Sequence, residues 1–296
     1  MIEHLKQYGS VSEHVLLSKL TTIKLGGTAR ALFYPNDFMG LIAGIAYLHN
    51  NDIEFRIFGH GSNILASDLD YDGVIIKLNR TINSTYFLED RVFVEAGASL
   101  VLLSDLAMKQ SLSGLEWAAG IPATLGGALV MNAGAYLKSM SDIVTQVLIL
   151  DHTNLRWLSH KECDFNYRSS IFQKNRELII LGAQLKLEKE SQEIIKEVMA
   201  RRKQQRLNTQ PLDAPSSGST FRNPLGYQSW ELIEGCGLRG FKVGGAQVSK
   251  KHANFLINEG DATAQDMINL IHLIQQSVKD KYAVDLHLEV EQFNWK

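Results

Sequence analysis

A chain of 296 residues, 45% hydrophobic and 21% charged, has the composition of a globular protein with enough material for two or three compact units and large buried cores. Its formal net charge of −2 provides no global attraction for nucleic acid or an anionic membrane, so any anion must be held by a local arrangement of groups. Cys163 and Cys236 lack metal-type spacing and give no disulfide framework, and neither a signal peptide at the start nor an apolar run of bilayer length is legible, so a cytoplasmic location is expected.

After a short lead-in, the turn-rich residues 21–30 approach an apolar strand over 31–34. Asp37 is placed to cap a helix whose Leu41, Ile42, Ile45 and Leu48 follow helical spacing. Residues 55–58 read as a strand running into the glycine loop Gly59-His60-Gly61-Ser62-Asn63, and 74–76 as the next strand. This β-α-β opening sets the loop at a strand's carboxyl end, where ligands commonly bind in α/β architectures. A strand over 93–96 and a helix over 100–109 precede a second glycine loop, Gly120-Ile121-Pro122-Ala123-Thr124-Leu125-Gly126-Gly127, which continues into Asn132-Ala133-Gly134. Strands over 144–150 and 178–187 close a first region near residue 190. A helix over 189–207 then carries an apolar stripe of Ile194, Ile195, Val198 and Met199 and a cationic end, a breaker-rich loop spans 210–218, and Thr263 to Asp266 resembles a capping box opening a long helix. Alternation of Val284, Leu286, Leu288 and Val290 with charged residues predicts a final strand.

Glycine lets backbone N–H groups approach a phosphate with no Cβ in the way, and clustered N–H dipoles favour negative charge. Neither loop is followed by the Gly-Lys-Ser/Thr of a P-loop, and neither is a Gly-x-Gly-x-x-Gly opening a long helix. A dinucleotide cradled by two separated loops is the reading that uses both.

Three further segments follow in order: Asn166-Tyr167-Arg168-Ser169-Ser170, then Ser217-Gly218-Ser219-Thr220-Phe221-Arg222-Asn223-Pro224, then Gly244 to Phe255 with Lys251-His252-Ala253-Asn254-Phe255 at its end. With the two loops, this ordered set resembles the UDP-N-acetylenolpyruvoylglucosamine reductase family, flavoproteins of peptidoglycan precursor synthesis, over about residues 22–293. The resemblance implies an α+β chain: a two-part FAD-binding fold of the vanillyl-alcohol-oxidase-like type over 1–190, with subdomains of about 1–78 and 79–190, and a C-terminal α/β substrate-binding domain over 191–296. It implies noncovalent FAD, NADPH as hydride donor, a UDP-sugar enolpyruvyl substrate, and no metal, nucleic acid or obligate protein partner. Without a long insertion between Arg168 and Ser219, the chain resembles the compact branch that lacks an extra tyrosine-bearing loop.

The resemblance also distributes roles. Gly59, Gly61, Ser62 and Asn63 match the first flavin loop; Gly120, Ile121, Pro122, Thr124, Gly126 and Gly127 the second; Asn132, Ala133 and Gly134 the segment beyond. Arg168 matches an arginine that stabilises negative charge during reduction, Glu289 a glutamate that shares a proton with the same group, and Ser219 the donor of the final proton. Tyr167, Arg222 and Asn223 match substrate contacts. Another FAD oxidase on the same fold would lack the 219–224 motif, and a noncatalytic nucleotide sensor would have no need of Arg168, Ser219 and Glu289 together.

Overall fold

The computed structural model describes residues 1–152 and 154–295. The chain divides into two compact units: Met1–Glu13, Ala31–His60 and Gly73–Gln205 form the first, and His14–Arg30, Gly61–Asp72 and Arg206–Lys296 the second.

Strands β1 (Gly9–Leu16) and β2 (Thr28–Pro35) are followed by helix α1 (Phe38–Asn50), whose N-cap Asp37 accepts a hydrogen bond from the Gly40 N–H at 2.7 Å. Strand β3 (Phe55–Ile57) leads into the first glycine loop, β4 (Ile64–Ala66) follows it, and β5 (Tyr71–Ile76) returns beside β3 in parallel, with Phe55 opposite Val74 and Ile57 opposite Ile76. The sheet order is β1-β2-β5-β3. The β-α-β opening therefore exists, but β5 stands between its two strands, and β1, too polar to be read as a strand, forms its edge.

A second sheet of the first unit is antiparallel throughout. It contains β6 (Thr85–Leu88), β7 (Arg91–Glu95), β8 (Val144–Asp151), β9 (Asn154–Ser159) and β10 (Leu178–Lys186), in the order β9-β8-β10-β7-β6. Alternation decides which face is dry: Val92, Val94, Val147, Ile149, Ala183 and Leu185 are fully buried, while Phe93 and Leu148 are only partly so. Helix α2 (Leu100–Lys109) and the short α3 (Leu125–Val130) belong to the same unit, whose core includes Trp117, Leu103 and Leu129. Helix α4 (Gln192–Thr209) closes it; of the four stripe residues only Ile195 is buried and Ile194 is half exposed, so the expected apolar stripe is a single anchor on a polar helix.

In the second unit, β11 (Ser216–Ser219), helix α5 (Ser229–Gly235), β12 (Lys242–Val243), β13 (Ala246–Val248) and β14 (Phe255–Asn258) precede the long α6 (Ala264–Tyr282). The strand order is β11-β14-β13-β12, and the capping box at Thr263 is realised, with Thr263 and Asp266 exchanging side-chain-to-backbone hydrogen bonds. Met267, Leu270, Ile271, Ile274 and Val278 of α6 pack with Phe221, Ile233 and Val248 in a core separate from that of the first unit.

The final strand differs from expectation. Leu286 and Val290 are buried as the alternation requires, yet residues 284–290 form no ladder strand; a single bridge joins Leu288 to Phe221, and only β15 (Glu291–Phe293) pairs, in parallel with β4. The local backbone groups bond instead to the turn-forming stretch that follows β11 (the Glu289 N–H to Thr220 O, and His287 O from the Arg222 N–H). Mixed sheets with helices make the chain α+β.

Candidate active site

The first loop presents donors. The Phe58 N–H still bonds to Ile76 O at 2.9 Å, but no group among the described residues accepts from the N–H of Gly59, His60, Gly61 or Ser62. Consecutive uncommitted N–H groups are what an anion needs. The glycines are required sterically: Gly61 has φ +69° and a Cβ there would lie 2.0 Å from Leu20 O, while a Cβ on Gly59 would lie 2.6 Å from Thr124 Oγ1. Burial and the charge of Lys77 push the His60 pKa below its ordinary value, and the Pro122 carbonyl only partly offsets them.

The second loop is built differently. Thr124 caps α3 by accepting from the Gly127 N–H at 3.2 Å, and the N–H groups of Leu125 and Gly126 bond to Ala98 O and Ala96 O at 2.8 Å each. These donors are committed inside the protein, so the loop contributes shape. The helix was hidden in the sequence by its paired glycines, for which helical propensity is poor. Gly59, Thr124, Gly126 and Gly127 all line a cavity of about 460 Å³, whose remaining wall includes Arg56 and Ile179. Sequence reading missed those two because they come from strand β3 and strand β10, remote from either loop. Gly120 and Ile121 are half-buried and Pro122 is exposed in the segment before α3. The residues fit an extended anionic cofactor: a donor-rich turn, a glycine-walled cavity, and, among the described residues, no side chain competing for the turn's N–H groups.

Arg168 is fixed by residues beyond the second loop. Asn132, 5% exposed and with φ +41°, accepts from the Ser141 N–H at 3.0 Å and donates through Nδ2 to Asn166 O at 2.9 Å. Asn166 and Ser169 close a tight turn with two reciprocal backbone bonds of 3.0 and 3.1 Å, and inside it Arg168 adopts φ +52°. That conformation costs a non-glycine residue roughly 1–2 kcal/mol. One guanidinium nitrogen donates to Gly134 O at 2.8 Å, and the group lies 5.3 Å from the Tyr167 ring centroid. Ala133 accepts from the Met140 N–H at 2.9 Å. Asn132 thus acts as a brace for the arginine turn, a use its sequence position did not reveal.

In the second unit the structure brings Ser62, Asn63, Ser219 and Glu289 onto connected backbone. Asn63 donates through Nδ2 to Glu289 O at 3.1 Å and its carbonyl accepts from the Glu291 N–H at 2.8 Å. Ser217 Oγ donates to Ile64 O at 3.1 Å, whereas the Ser219 hydroxyl, half-buried after Gly218 with φ +76°, has no partner among the described residues. Thr220 O accepts from the Glu289 N–H at 2.8 Å. Asn223 accepts from the Ser229 N–H, the first of α5, at 3.0 Å and donates to the Gln228 side chain at 2.9 Å. Beside it, Arg222 Nε is buried with no acceptor among the described residues, a donor suited to an incoming anion.

Donor loop, cavity and fold define an FAD-dependent oxidoreductase: residues 29–154 match the family described as FAD binding domain, and the solved glucose dehydrogenase Phl p 4.0202 has the same fold over 63% of this chain and 43% of its own, with TM-score 0.51 at 13% identity. Residues 210–293 match the family described as UDP-N-acetylenolpyruvoylglucosamine reductase, C-terminal domain. The chain is 45% identical over 276 residues to the UDP-N-acetylenolpyruvoylglucosamine reductase of Caldanaerobacter subterraneus, covering 93% of this chain and 91% of that one. It is 41% identical over 294 residues to that of Bacillus licheniformis, covering 98% and 97%. The crystal structure of the Thermus caldophilus enzyme superposes with TM-score 0.83 at 33% identity, over 97% of this chain and all of the other. The chain belongs to the UDP-N-acetylenolpyruvoylglucosamine reductase family, and FAD is its cofactor.

Proposed function

We infer that this chain runs its family's reaction, the NADPH-dependent reduction of UDP-N-acetylglucosamine enolpyruvate to UDP-N-acetylmuramate. Bound FAD supplies hydride exchange between NADPH and the substrate alkene. The N–H groups of residues 59–62 would hold its pyrophosphate, with Gly59, Thr124, Gly126 and Gly127 walling the cavity; Asn63, Gly120, Ile121, Pro122 and residues 132–134 are the further residues that would contact it. Arg222, Asn223 and Tyr167 bind the sugar nucleotide.

Hydride addition to the enolpyruvyl group drives negative charge onto its carboxylate. Arg168, pre-aligned in its braced turn, stabilises that charge before solvent has to reorganise, and Glu289 shares a proton with the same group. The Ser219 hydroxyl then protonates the carbon that bears ether and carboxylate. The observation that carries this reading is the uncommitted Ser219 hydroxyl on the same short backbone stretch that binds the Glu289 N–H. The functional division we propose follows the chain, residues 1–190 for flavin and 191–296 for substrate, with segments 14–30 and 61–72 packed in the second unit. No helix among the described residues is long and apolar enough to cross a membrane. Consumption of NADPH and a nucleotide sugar fits a cytoplasmic enzyme needing neither nucleic acid nor a protein partner.

Anaerobic addition of NADPH should bleach the flavin, and the enolpyruvyl substrate should then restore its colour without oxygen. Reoxidation by oxygen alone would point to an oxidase instead. Ser219→Ala should slow the substrate-dependent step by roughly a hundredfold to ten-thousandfold and spare the NADPH step.

A further inference from the structure

Ser219, Arg222 and Glu289 depend on one short length of backbone, and a side chain with no role above grips it. Asn254, 4% exposed and immediately before β14, donates through Nδ2 to Phe221 O at 2.8 Å and accepts through Oδ1 from the Phe221 N–H at 3.0 Å. Its own carbonyl accepts from the Thr220 N–H at 2.8 Å. A carboxamide that satisfies the backbone N–H and C=O of one residue does what a neighbouring strand would do. It does so just past the end of β11, whose register with β14 shifts between Ser216 and Ser219. On the other side of the same stretch, Thr220 O accepts from the Glu289 N–H at 2.8 Å and the Arg222 N–H donates to His287 O at 2.9 Å.

The restraint matters because the one residue between the anchored Ser217, whose hydroxyl bonds to Ile64 O at 3.1 Å, and Ser219 is a glycine. Gly218 precedes it with φ +76°, and a Cβ on Gly218 would meet nothing closer than 4.0 Å. Beyond its pairing opposite Phe255, Ser219 is held on its C-terminal side by the continuation into Thr220 and Phe221. Asn254 is itself oriented: its N–H donates to His252 Nδ1 at 3.2 Å.

We propose that Asn254 is a positioning residue for the reaction, its carboxamide pinning the Phe221 backbone on both sides of its Cα so that the Ser219 hydroxyl and Glu289 keep a fixed spacing. The inference rests on the reading of Ser219 and Glu289 as reacting groups. Its content is that a side chain touching no substrate sets the rate of the protonation step.

Stopped-flow measurement of both half-reactions on the FAD-loaded enzyme tests it. Asn254→Ala should retain FAD and be bleached by NADPH within about twofold of the native rate, because the flavin loops are untouched. Substrate-dependent reoxidation should fall by roughly tenfold to a hundredfold, the cost of a misplacement near 1 Å, with kcat falling more than KM changes and a larger D2O effect. Asn254→Asp, equal in shape and able in its protonated form to keep both bonds to Phe221, is the second variant and should lose less than alanine. In a Ser219→Ala background, Asn254→Ala should add little, since the group it positions is gone. If Ser219→Ala reoxidises at the native rate, the reading of Ser219 falls. If Ser219→Ala is slow while both Asn254 variants reoxidise normally, or lose both half-reactions in equal proportion, the role of Asn254 is overturned and that of Ser219 stands.

Discussion

The two glycine loops look alike in sequence and do opposite things with their backbones. In the first, the N–H groups of residues 59–62 meet no acceptor among the described residues; in the second, those of Leu125, Gly126 and Gly127 are bound to Ala98, Ala96 and Thr124. The first loop's glycines present donors where a Cβ would clash at 2.0 and 2.6 Å, whereas a Cβ on Gly126 or Gly127 would come no nearer than 3.2 Å. Buried backbone donors are nearly always paired, so an uncommitted run on a turn beside a cavity marks where a ligand completes the bonding. A glycine-rich spelling alone does not distinguish the two uses.

The largest effect that would break this contrast is expected at Gly61. An alanine there must adopt a left-handed conformation and place its Cβ 2.0 Å from a backbone oxygen that cannot rotate away. Gly61→Ala should abolish FAD retention and destabilise the chain by more than about 2 kcal/mol in denaturant unfolding. A folded variant with full flavin content would show that the turn is not the anion cradle. Gly126→Ala should do far less: its Cβ would sit 3.2 Å from Ala96 O and 3.3 Å from Ala96 Cβ, distances that a shift of a few tenths of an ångström relieves. Loss of less than about half the bound FAD is expected, partly offset by the better helix propensity of alanine, about 1 kcal/mol. Equal damage from the two substitutions would erase the distinction between the loops.

How much of this was legible depended on whether the signal was local. Asp37 and Thr263 announce their helices because a cap acts within one turn, and the helix over Leu100–Lys109 has the predicted bounds. Strand β1 went unread because Ser10, Ser12, Glu13 and His14 carry no apolar pattern, and the alternation of residues 284–290 gave the burial of Leu286 and Val290 while promising a ladder that, among the described residues, is reduced to one bridge at Leu288. At the site, glycines and the 219–224 motif could be read directly. The braces could not: Asn132 acts on Asn166, 34 positions away, and Asn254 on Phe221, 33 away, pairings created only by folding.

The smallest expected effect sharpens the same contrast electrostatically. His60 stands in the donor loop, and burial, with Lys77 beside it, holds its pKa below the ordinary 6.5. Lys77 is 7% exposed with no carboxylate partner among the described residues, so the donor loop also has a cation behind it. In the unfolded chain His60 takes up its proton near 6.5, whereas in the fold it does so only at lower pH, so the unfolded state binds more protons between those values. The stability that neutral His60 contributes is therefore complete above about pH 6.5 and declines as pH falls toward its folded value. His252, also depressed by burial, adds a similar slope from the second unit. His60→Gln should remove only the first contribution: thermal unfolding of native protein and variant, followed from pH 7.5 to 5, should differ by an amount that shrinks as the pH drops. Parallel curves over that range would mean that His60 is protonated as readily in the fold as in the open chain, and the donor loop would lose its claim to a positive surrounding that a bound anion relieves.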